Sequence, residues 1–222
     1  RRICMRKYLP HILIISFIFL SPPIMQAVAK ERVNLRSYYD KLSESEVKSL
    51  SHIVIRKKTN FGFCVYSTID HDYEVKMING DKVVIDHSTG LMWHQLGSKD
   101  YMPWQEAPYE IEEFLGIDSN KYTHQKEWVT DLNNRGYAGH YDWRLPTVEE
   151  LISLLEPSKK NGDLYIDSVF DKKQNNIWTG DRWTGARDSV FAWHVHFNSG
   201  EICLENVTLY DALYIRPVRT ME

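Results

Sequence analysis

The stretch DWRLPT, residues 142–147, marks the point where an extended segment of this 222-residue chain turns into a helix. Pro146 keeps the residue before it out of the α region, so no helix runs through this point. Thr147 and Glu150 then form a T-x-x-E capping box ahead of a run of apolar residues. The pattern predicts a strand-to-helix corner, with a helix that starts at Thr147 and ends near Leu155.

Two side chains of this corner suit an interior position. Trp143 brings a large apolar area. Arg144 brings a planar fork of donors, which needs a carboxylate or carbonyl partner when it is covered. We therefore predict that both residues serve packing, as do the tryptophans of the apolar strand segments, Trp93, Trp178 and Trp193.

Residues 1–29 have the pattern of a secretory signal peptide. A basic start, an apolar run at 12–20 and a small-x-small pattern at 27–29 follow one another in that order. The apolar run is shorter than the ~20 residues of a transmembrane helix. We expect an exported chain with no stable membrane span after cleavage, and retention of the segment as an anchor stays open.

Removal of residues 1–29 leaves 23 basic and 30 acidic residues, a formal charge of −7. Nucleic acids and anionic lipids bind clustered lysine and arginine, so the acidic balance argues against a nucleic-acid partner. Cys64 and Cys203 remain after cleavage. In an oxidising compartment they can form a disulfide, and two buried free thiols are the competing interpretation, because sequence does not give their separation.

The mature chain divides into an N-terminal extension at 30–80 and a main domain at 81–222. In the extension, Ser43 and Glu46 form a second capping box, which predicts a short amphipathic helix docked on its own domain or on another chain. Residues 60–78 have the composition of irregular strands.

The main domain alternates strand and helix signals. One hairpin is predicted from strands at 82–86 and 91–95, and a second at 190–207. A further strand is predicted at 213–219, and a short one at 177–179 precedes a loop at 180–189. Helical segments are predicted at 102–115, with a late start or kink at Pro108, and from Trp128 to a C-terminal Gly136. The class is α+β, with two helical segments packed on short antiparallel sheets and long irregular loops.

Six motifs in order resemble the bacterial Lcl C-terminal domain family, also called DUF1566. They are DHSTGLMW (86–93), GYAGHYDWRLPTVEEL (136–151), LYIDSVF (164–170), IWTGD (177–181), FAWHVHFNSGE (191–201) and YIRPVR (214–219). The resemblance covers 82–219 and implies a C-type-lectin-like fold, akin to the scaffold of formylglycine-generating enzymes. It also implies an adhesion or carbohydrate-binding module that is secreted, periplasmic or on the cell surface of bacteria.

Several residues of these motifs form the structural signature of the family. They are Trp93, Asp142, Trp143, Arg144, Pro146, Trp178, Trp193, Arg216 and Arg219. The chain departs from the family pattern by lacking a collagen repeat and by carrying His194 and His196 where members usually have an aliphatic and then an acidic or amide residue.

The predicted loop after the 177–179 strand is the first candidate for ligand binding. It combines Trp183, which can stack on a ring, with the donors of Arg182 and Arg187. A lectin-like fold would place Glu205, Tyr210 and Asp211 of a second loop nearby. We predict that these six residues bind a glycan or a cell-surface protein. In the competing interpretation Trp183 belongs to the core and the arginines pair with Asp181 and Asp188.

His194 and His196 are the second candidate, because strand alternation places both on one face. Zinc would need further ligands, for which Glu201, Glu205 and Asp211 are close in sequence. The competing interpretation is a polar strand face, and we predict neither a metal nor a cofactor.

A noncatalytic recognition module is the function that the sequence favours. The chain has no G-x-S-x-G nucleophile motif. A structural or assembly protein that contacts a partner chain, with oligomers possible, is the alternative. An oxidase on the formylglycine-type scaffold is the third reading; those enzymes use a cysteine pair with copper, and Cys64 and Cys203 do not sit in the matching motif.

Overall fold

A computed structural model describes residues 31–104, 125–185, 191–207 and 212–221. The signal-peptide prediction for 1–29 falls outside these residues. The strands are β1 (Lys41–Leu42), β2 (Ile53–Lys58), β3 (Gly62–Ser67), β4 (Tyr73–Ile78), β5 (Asp81–Asp86), β6 (Leu91–His94), β7 (Met102–Pro103), β8 (Asn176–Trp183), β9 (Phe191–His196), β10 (Glu201–Asn206), β11 (Ala212–Leu213) and β12 (Val218–Thr220). The helices are α1 (Glu44–Lys48), α2 (Gln125–Asn134), the 3-10 turn Tyr137–Gly139 and α3 (Val148–Ser153).

The described residues are mostly β-sheet with a few short helices. The main sheet has the strand order β1-β8-β9-β10-β3-β2, in which only the β1–β8 pair is parallel. A second, antiparallel sheet has the order β12-β6-β5-β4, and β11 pairs with β7. Helix α3 packs Leu151 and Ile152 into the largest core cluster, together with Trp193 and Val195 of the main sheet.

The helix start predicted at Thr147 is confirmed, whereas the segment before it is not a strand and pairs with Val218 only through an isolated bridge at Arg144. Thr147 caps α3, and the reciprocal bond from Glu150 completes the capping box. Arg144 forms a two-pronged ion pair with the same Glu150, whose side chain is fully buried. Arg144 therefore has the carboxylate partner that an interior position requires, and this partner also closes the helix cap.

Residues 31–80 are an integral part of the domain. They supply β1, β2 and β3 to the main sheet and β4 to the second sheet. The Ser43 capping box is confirmed, and Val47 of α1 is fully buried in the main core, so the helix docks on its own domain. Residues 31–80 and the main domain thus share one core, in the compact unit Glu31–Glu222.

Both predicted hairpins are confirmed, as is the end of α2 before the left-handed Gly136. Three predicted elements differ. Met102 and Pro103 form strand β7 rather than helix, because they pair with Leu213 and Ala212; residues 105–124 of that prediction lie outside the described ranges. The segment 213–219 divides into β11 and β12 on either side of the buried Ile215 and Arg216.

Strand β8 is the third difference, because it continues to Trp183, into the segment predicted as a loop. Its last residues, Arg182 and Trp183, pair in parallel with Lys41 and Leu42 of β1. The sequence near Gly180 gave no sign of this partner, which lies about 140 residues earlier in the chain. No helix within the described ranges is long and apolar enough to cross a membrane.

Candidate functional site

A cavity of about 480 Å³ opens where β8, β9 and β10 meet the start of β3. We call it the aromatic groove, because Phe61, Trp183, Phe191 and Trp193 line it. Glu44, Lys58 and Thr59 add polar groups to its walls. An apolar cavity of this size with a few polar groups has the properties of a small-ligand site.

The main sheet fixes the aromatic side chains in place. Trp183 ends β8 opposite Leu42, and its ring meets that of Phe191 edge to face with centroids 5.8 Å apart. Trp193 is fully buried, and its indole N–H donates to the carbonyl of Leu42 at 3.0 Å. The floor of the groove is therefore rigid, whereas Phe61 is 77% exposed.

The polar wall of the groove is an ion-pair cluster. Lys48 Nζ lies 2.5 Å and Lys58 Nζ 3.9 Å from Glu44 Oε1. The hydrogen bond from Lys48 outweighs the small desolvation of Glu44, so the pKa of this carboxyl lies below its usual value. Glu44 is an ionised hydrogen-bond acceptor at neutral pH, beside the cation of Lys58.

The predicted ligand-binding residues do not share one surface. Trp183 lines the aromatic groove, but Arg182 precedes it on a strand and points to the other face, where its guanidinium lies 4.7 Å from the ring centroid of Trp104. Asp181 is fully buried and pairs with Arg36, through Nη2 at 2.6 Å. Arg187, Asp188, Tyr210 and Asp211 lie outside the described residues.

Glu205 lies on β10 and lines a second cavity, of about 270 Å³, on the face of the main sheet opposite Trp193, which we call the outer face. Phe61 and Leu204 line both cavities. His194, His196, Cys203 and Glu201 line the same cavity. His194, His196 and Cys203 each bring one ligand atom, and these atoms lie within 4.8 Å of one another. We call these three residues the imidazole–thiol cluster.

The register of the β9–β10 hairpin forms this cluster. His194 lies opposite Cys203, and His196 lies opposite Glu201. Cross-strand partners share a face of the sheet. The sequence predicted the two histidines on one face but sought a third ligand among nearby acids and missed Cys203. Counting residues outward from the turn at 198–200 would have placed it opposite His194.

His194 is 1% exposed, and its two ring nitrogens differ. Nδ1–H donates to Asn176 Oδ1 at 2.7 Å, which leaves Nε2 as an acceptor. Nε2 is buried and has no hydrogen-bond partner among the described residues. Burial, with a smaller effect of His196, lowers the pKa of His194 to about 3, so the ring is neutral at physiological pH.

Cys64 and Cys203 are separate buried thiols, the second of the two interpretations that the sequence left open. Glu201 lies opposite Cys64 and Gly62 lies opposite Cys203, which makes the cysteines diagonal neighbours. Diagonal residues are about 7–8 Å apart, beyond the Cα separation that a disulfide bridges without backbone movement. Burial, followed by the charge and hydrogen bond of Glu201, raises the pKa of the Cys203 thiol well above its usual value.

The family-signature residues have structural roles. Trp93, Trp178 and Trp193 are fully buried and Trp143 nearly so. Arg219 Nε donates to Asp142 at 2.7 Å. Arg216 donates to the carbonyl of His94 and lies 4.9 Å from the ring centroid of Phe170; its complete burial lowers its pKa to about 9.

The described residues thus define a mostly β-sheet domain with an aromatic groove on one face of its main sheet and an imidazole–thiol cluster on the other. The family model of the Lcl C-terminal domain matches residues 82–219, and the chain belongs to this family. Strands β1–β4 precede the matched region. No curated protein and no solved structure matches the chain.

Proposed function

We propose that this chain is a noncatalytic recognition module of the bacterial cell envelope, exported to the periplasm or the cell surface, that binds a glycan in the aromatic groove. A C-type-lectin-like scaffold is part of this proposal. The observation that carries it is the pair Trp183 and Phe191, which present aromatic rings beside the charged groups of Glu44 and Lys58 in one cavity of about 480 Å³.

The chemistry of the groove matches that of a sugar. The C–H face of a pyranose packs against an aromatic ring, while its hydroxyls need donors and acceptors at the edge of that ring. Lys58 supplies donors, ionised Glu44 supplies acceptors, and the hydroxyl of Thr59 supplies either. The acidic formal charge favours a neutral sugar over a sulfated one.

The lowered pKa of Glu44 argues against a general-acid role in the groove. Its two lysine partners stabilise the carboxylate, whereas a general acid near neutral pH needs a raised pKa. This arrangement suits a fixed hydrogen-bonding role.

A glycan array probed with the full chain tests the proposal. We expect binding to at least one neutral glycan and a loss of about tenfold or more in Phe61→Ala and Trp183→Ala. Phe61 is the cleaner site because it is 77% exposed, so its truncation leaves the core intact. Tyr141→Ala is the matched control, an aromatic that is 72% exposed and does not line the groove. Equal binding by Phe61→Ala and Tyr141→Ala would overturn the proposal.

A structural protein that contacts a cell-surface protein or a second copy of itself is the second candidate. The observation in its favour is β4, an edge strand whose Val75 and Met77 are 48% and 65% exposed. An exposed apolar edge is a template for strand addition. Sedimentation velocity distinguishes the two candidates. Oligomers that form with rising concentration and that Met77→Lys abolishes, in a chain that binds no glycan on the array, would support the structural role and overturn the glycan proposal.

A further inference from the structure

We propose that His194, His196 and Cys203 bind one zinc ion on the outer face of the main sheet. Two imidazoles and a thiolate are ligands that zinc prefers in proteins, whereas magnesium and calcium prefer oxygen. The three ligand atoms already lie within 4.8 Å of one another. The inference does not rest on glycan binding, because none of the three ligand residues lines the aromatic groove.

The geometry requires only a small contraction. Zinc–sulfur bonds of about 2.3 Å and zinc–nitrogen bonds of about 2.0–2.1 Å place tetrahedral ligand atoms roughly 3.3–3.6 Å apart. Side-chain rotation supplies a movement of this size. The backbone is already set, because His194 and Cys203 are cross-strand partners and His196 follows on the same face.

The orphaned nitrogen of His194 is the independent sign of a ligand. A buried polar atom without a partner costs free energy, so native proteins rarely keep one. Nε2 of His194 is such an atom, and it belongs to a cavity-lining side chain that is 1% exposed. A zinc ion would satisfy it.

Asn176 orients the ring of His194 through the nitrogen that does not bind the zinc. Its carbonyl oxygen accepts the Nδ1–H of His194 at 2.7 Å. This bond fixes the ring and turns the lone pair of Nε2 away from Asn176. Zinc-binding histidines almost always donate their second nitrogen to an oxygen in this way.

The surrounding charge favours a cation. Glu201 and Glu205 line the same cavity, and Glu201 hydrogen-bonds the Cys203 thiol. When zinc binds, the thiol proton leaves to solvent and the zinc–sulfur bond takes its place, so no oxidant or reductant is needed. Cys64 lies opposite Glu201, outside the cluster, and serves as the matched control cysteine.

The test is zinc titration of the chelator-treated full chain by calorimetry, with the metal content measured after dialysis. We expect saturation at one zinc per chain. We expect Cys203→Ser and His196→Ala to weaken binding by at least about tenfold, and Asn176→Ala to weaken it by about 10- to 100-fold, as outer-shell partners do. Cys64→Ser and His87→Ala should bind zinc as the wild type does.

Loading the protein with cobalt in place of zinc tests directly whether the Cys203 thiolate binds the metal, which a purely structural role of Cys203 would not produce. A cobalt–thiolate bond gives a charge-transfer absorption, which should be present in the wild type and Cys64→Ser and absent in Cys203→Ser. Circular dichroism verifies folding; should Cys203→Ser fail to fold, the half-buried His196 supplies the deciding variant. Substoichiometric zinc, a cobalt complex without the thiolate band, or unchanged affinity in His196→Ala would each overturn the proposal.

Discussion

Glu150 Oε1 lies 2.6 Å from Arg144 Nη2, and the second oxygen of this buried carboxylate accepts the backbone N–H of Thr147 at 2.8 Å. One side chain therefore closes the N-terminal cap of α3 and neutralises Arg144, three residues before the cap. Arg144 is also bridged to Val218 of β12 through two backbone hydrogen bonds. The pair thus connects the first turn of α3 to the second sheet.

Arg144→Ala should destabilise the protein strongly, because it leaves the fully buried Glu150 carboxylate without its cation. Breaking a buried pair in this way costs about 3–5 kcal/mol. Urea unfolding measures the difference in the free energy of unfolding. Asp163→Asn, which removes a surface pair with Lys159, is the control and should leave the midpoint unchanged. A loss below about 1 kcal/mol in Arg144→Ala would show that Glu150 does not need its partner.

A chain that begins at Lys82, where the family match begins, should not fold into a stable domain. It lacks β1, β2 and β3 of the main sheet and β4 of the second sheet, which exposes β8, β10 and β5 as new edges. Thermal unfolding followed by circular dichroism should show no cooperative transition for this chain and a cooperative one for a chain that begins at Glu31. A sharp transition in the shorter chain would mean that the matched region is autonomous.

Gly62→Ala should cost more than an ordinary glycine substitution. A Cβ at this position would overlap the carbonyl oxygen of Ile202, because β3 and β10 approach each other closely there. Gly162→Ala is the comparison: that residue has φ +62° and open space around it, so the cost is the left-handed backbone alone, about 1–2 kcal/mol. We expect a larger loss in the free energy of unfolding for Gly62→Ala, and a smaller one would contradict the close approach.

His94 should make the protein less stable as the pH falls from about 6.5 towards 3. Burial, followed by the charges of Arg216 and Arg135, lowers its pKa in the folded chain to about 3, whereas the unfolded residue titrates near 6.5. Between these values the unfolded chain binds one more proton, which contributes a slope of about 1.4 kcal/mol per pH unit.

Urea unfolding between pH 4.5 and 6.5, in buffers without metal, measures this slope above the range of most carboxyl groups. His94→Asn should reduce it by about 1.4 kcal/mol per pH unit and leave the similar contribution of His194, whose pKa is also lowered to about 3, whereas His87→Asn, at an exposed histidine paired with Glu74, should not change it. An unchanged slope in His94→Asn would refute the assignment.

Cys64 and Cys203 should react with a thiol reagent only after unfolding. Both are buried, and burial raises the pKa of each thiol, which lowers the thiolate fraction. A chain that begins at Glu31, purified without reductant and free of metal, should show two slow thiols when folded and two fast thiols in denaturant. Fewer than two reactive thiols in denaturant would indicate the disulfide that the sequence left open.

Much of the fold could be predicted from local patterns. Both capping boxes, both hairpins and the end of α2 at Gly136 follow from residues that lie within a few positions of one another, where capping and turn geometry act. The predictions failed where the secondary structure of a segment depends on a partner that is distant in the sequence. The short pairing of Met102 with Leu213 and the extension of β8 to Trp183 depend on contacts across more than a hundred residues.

The candidate site likewise has features that local sequence predicted and features that depend on distant contacts. Alternation alone placed His194 and His196 on one face, and the identity of Trp183 predicted a role in ligand binding. Whether Cys203 or a nearby acid joins the histidines depends on the register of β9 against β10. Whether Arg182 joins Trp183 depends on their being on a strand rather than in a loop, because consecutive strand residues point to opposite faces.

The sequence by itself determined the family, the acidic balance and the helix start at Thr147, because motif order, composition and capping are properties of neighbouring residues. Only the tertiary structure decided that residues 31–80 supply strands to both sheets and that the cysteines stay apart. It alone brought Phe61 to Trp183 and Cys203 to His194. These facts depend on strand order and register, which arise from burial summed over the whole chain.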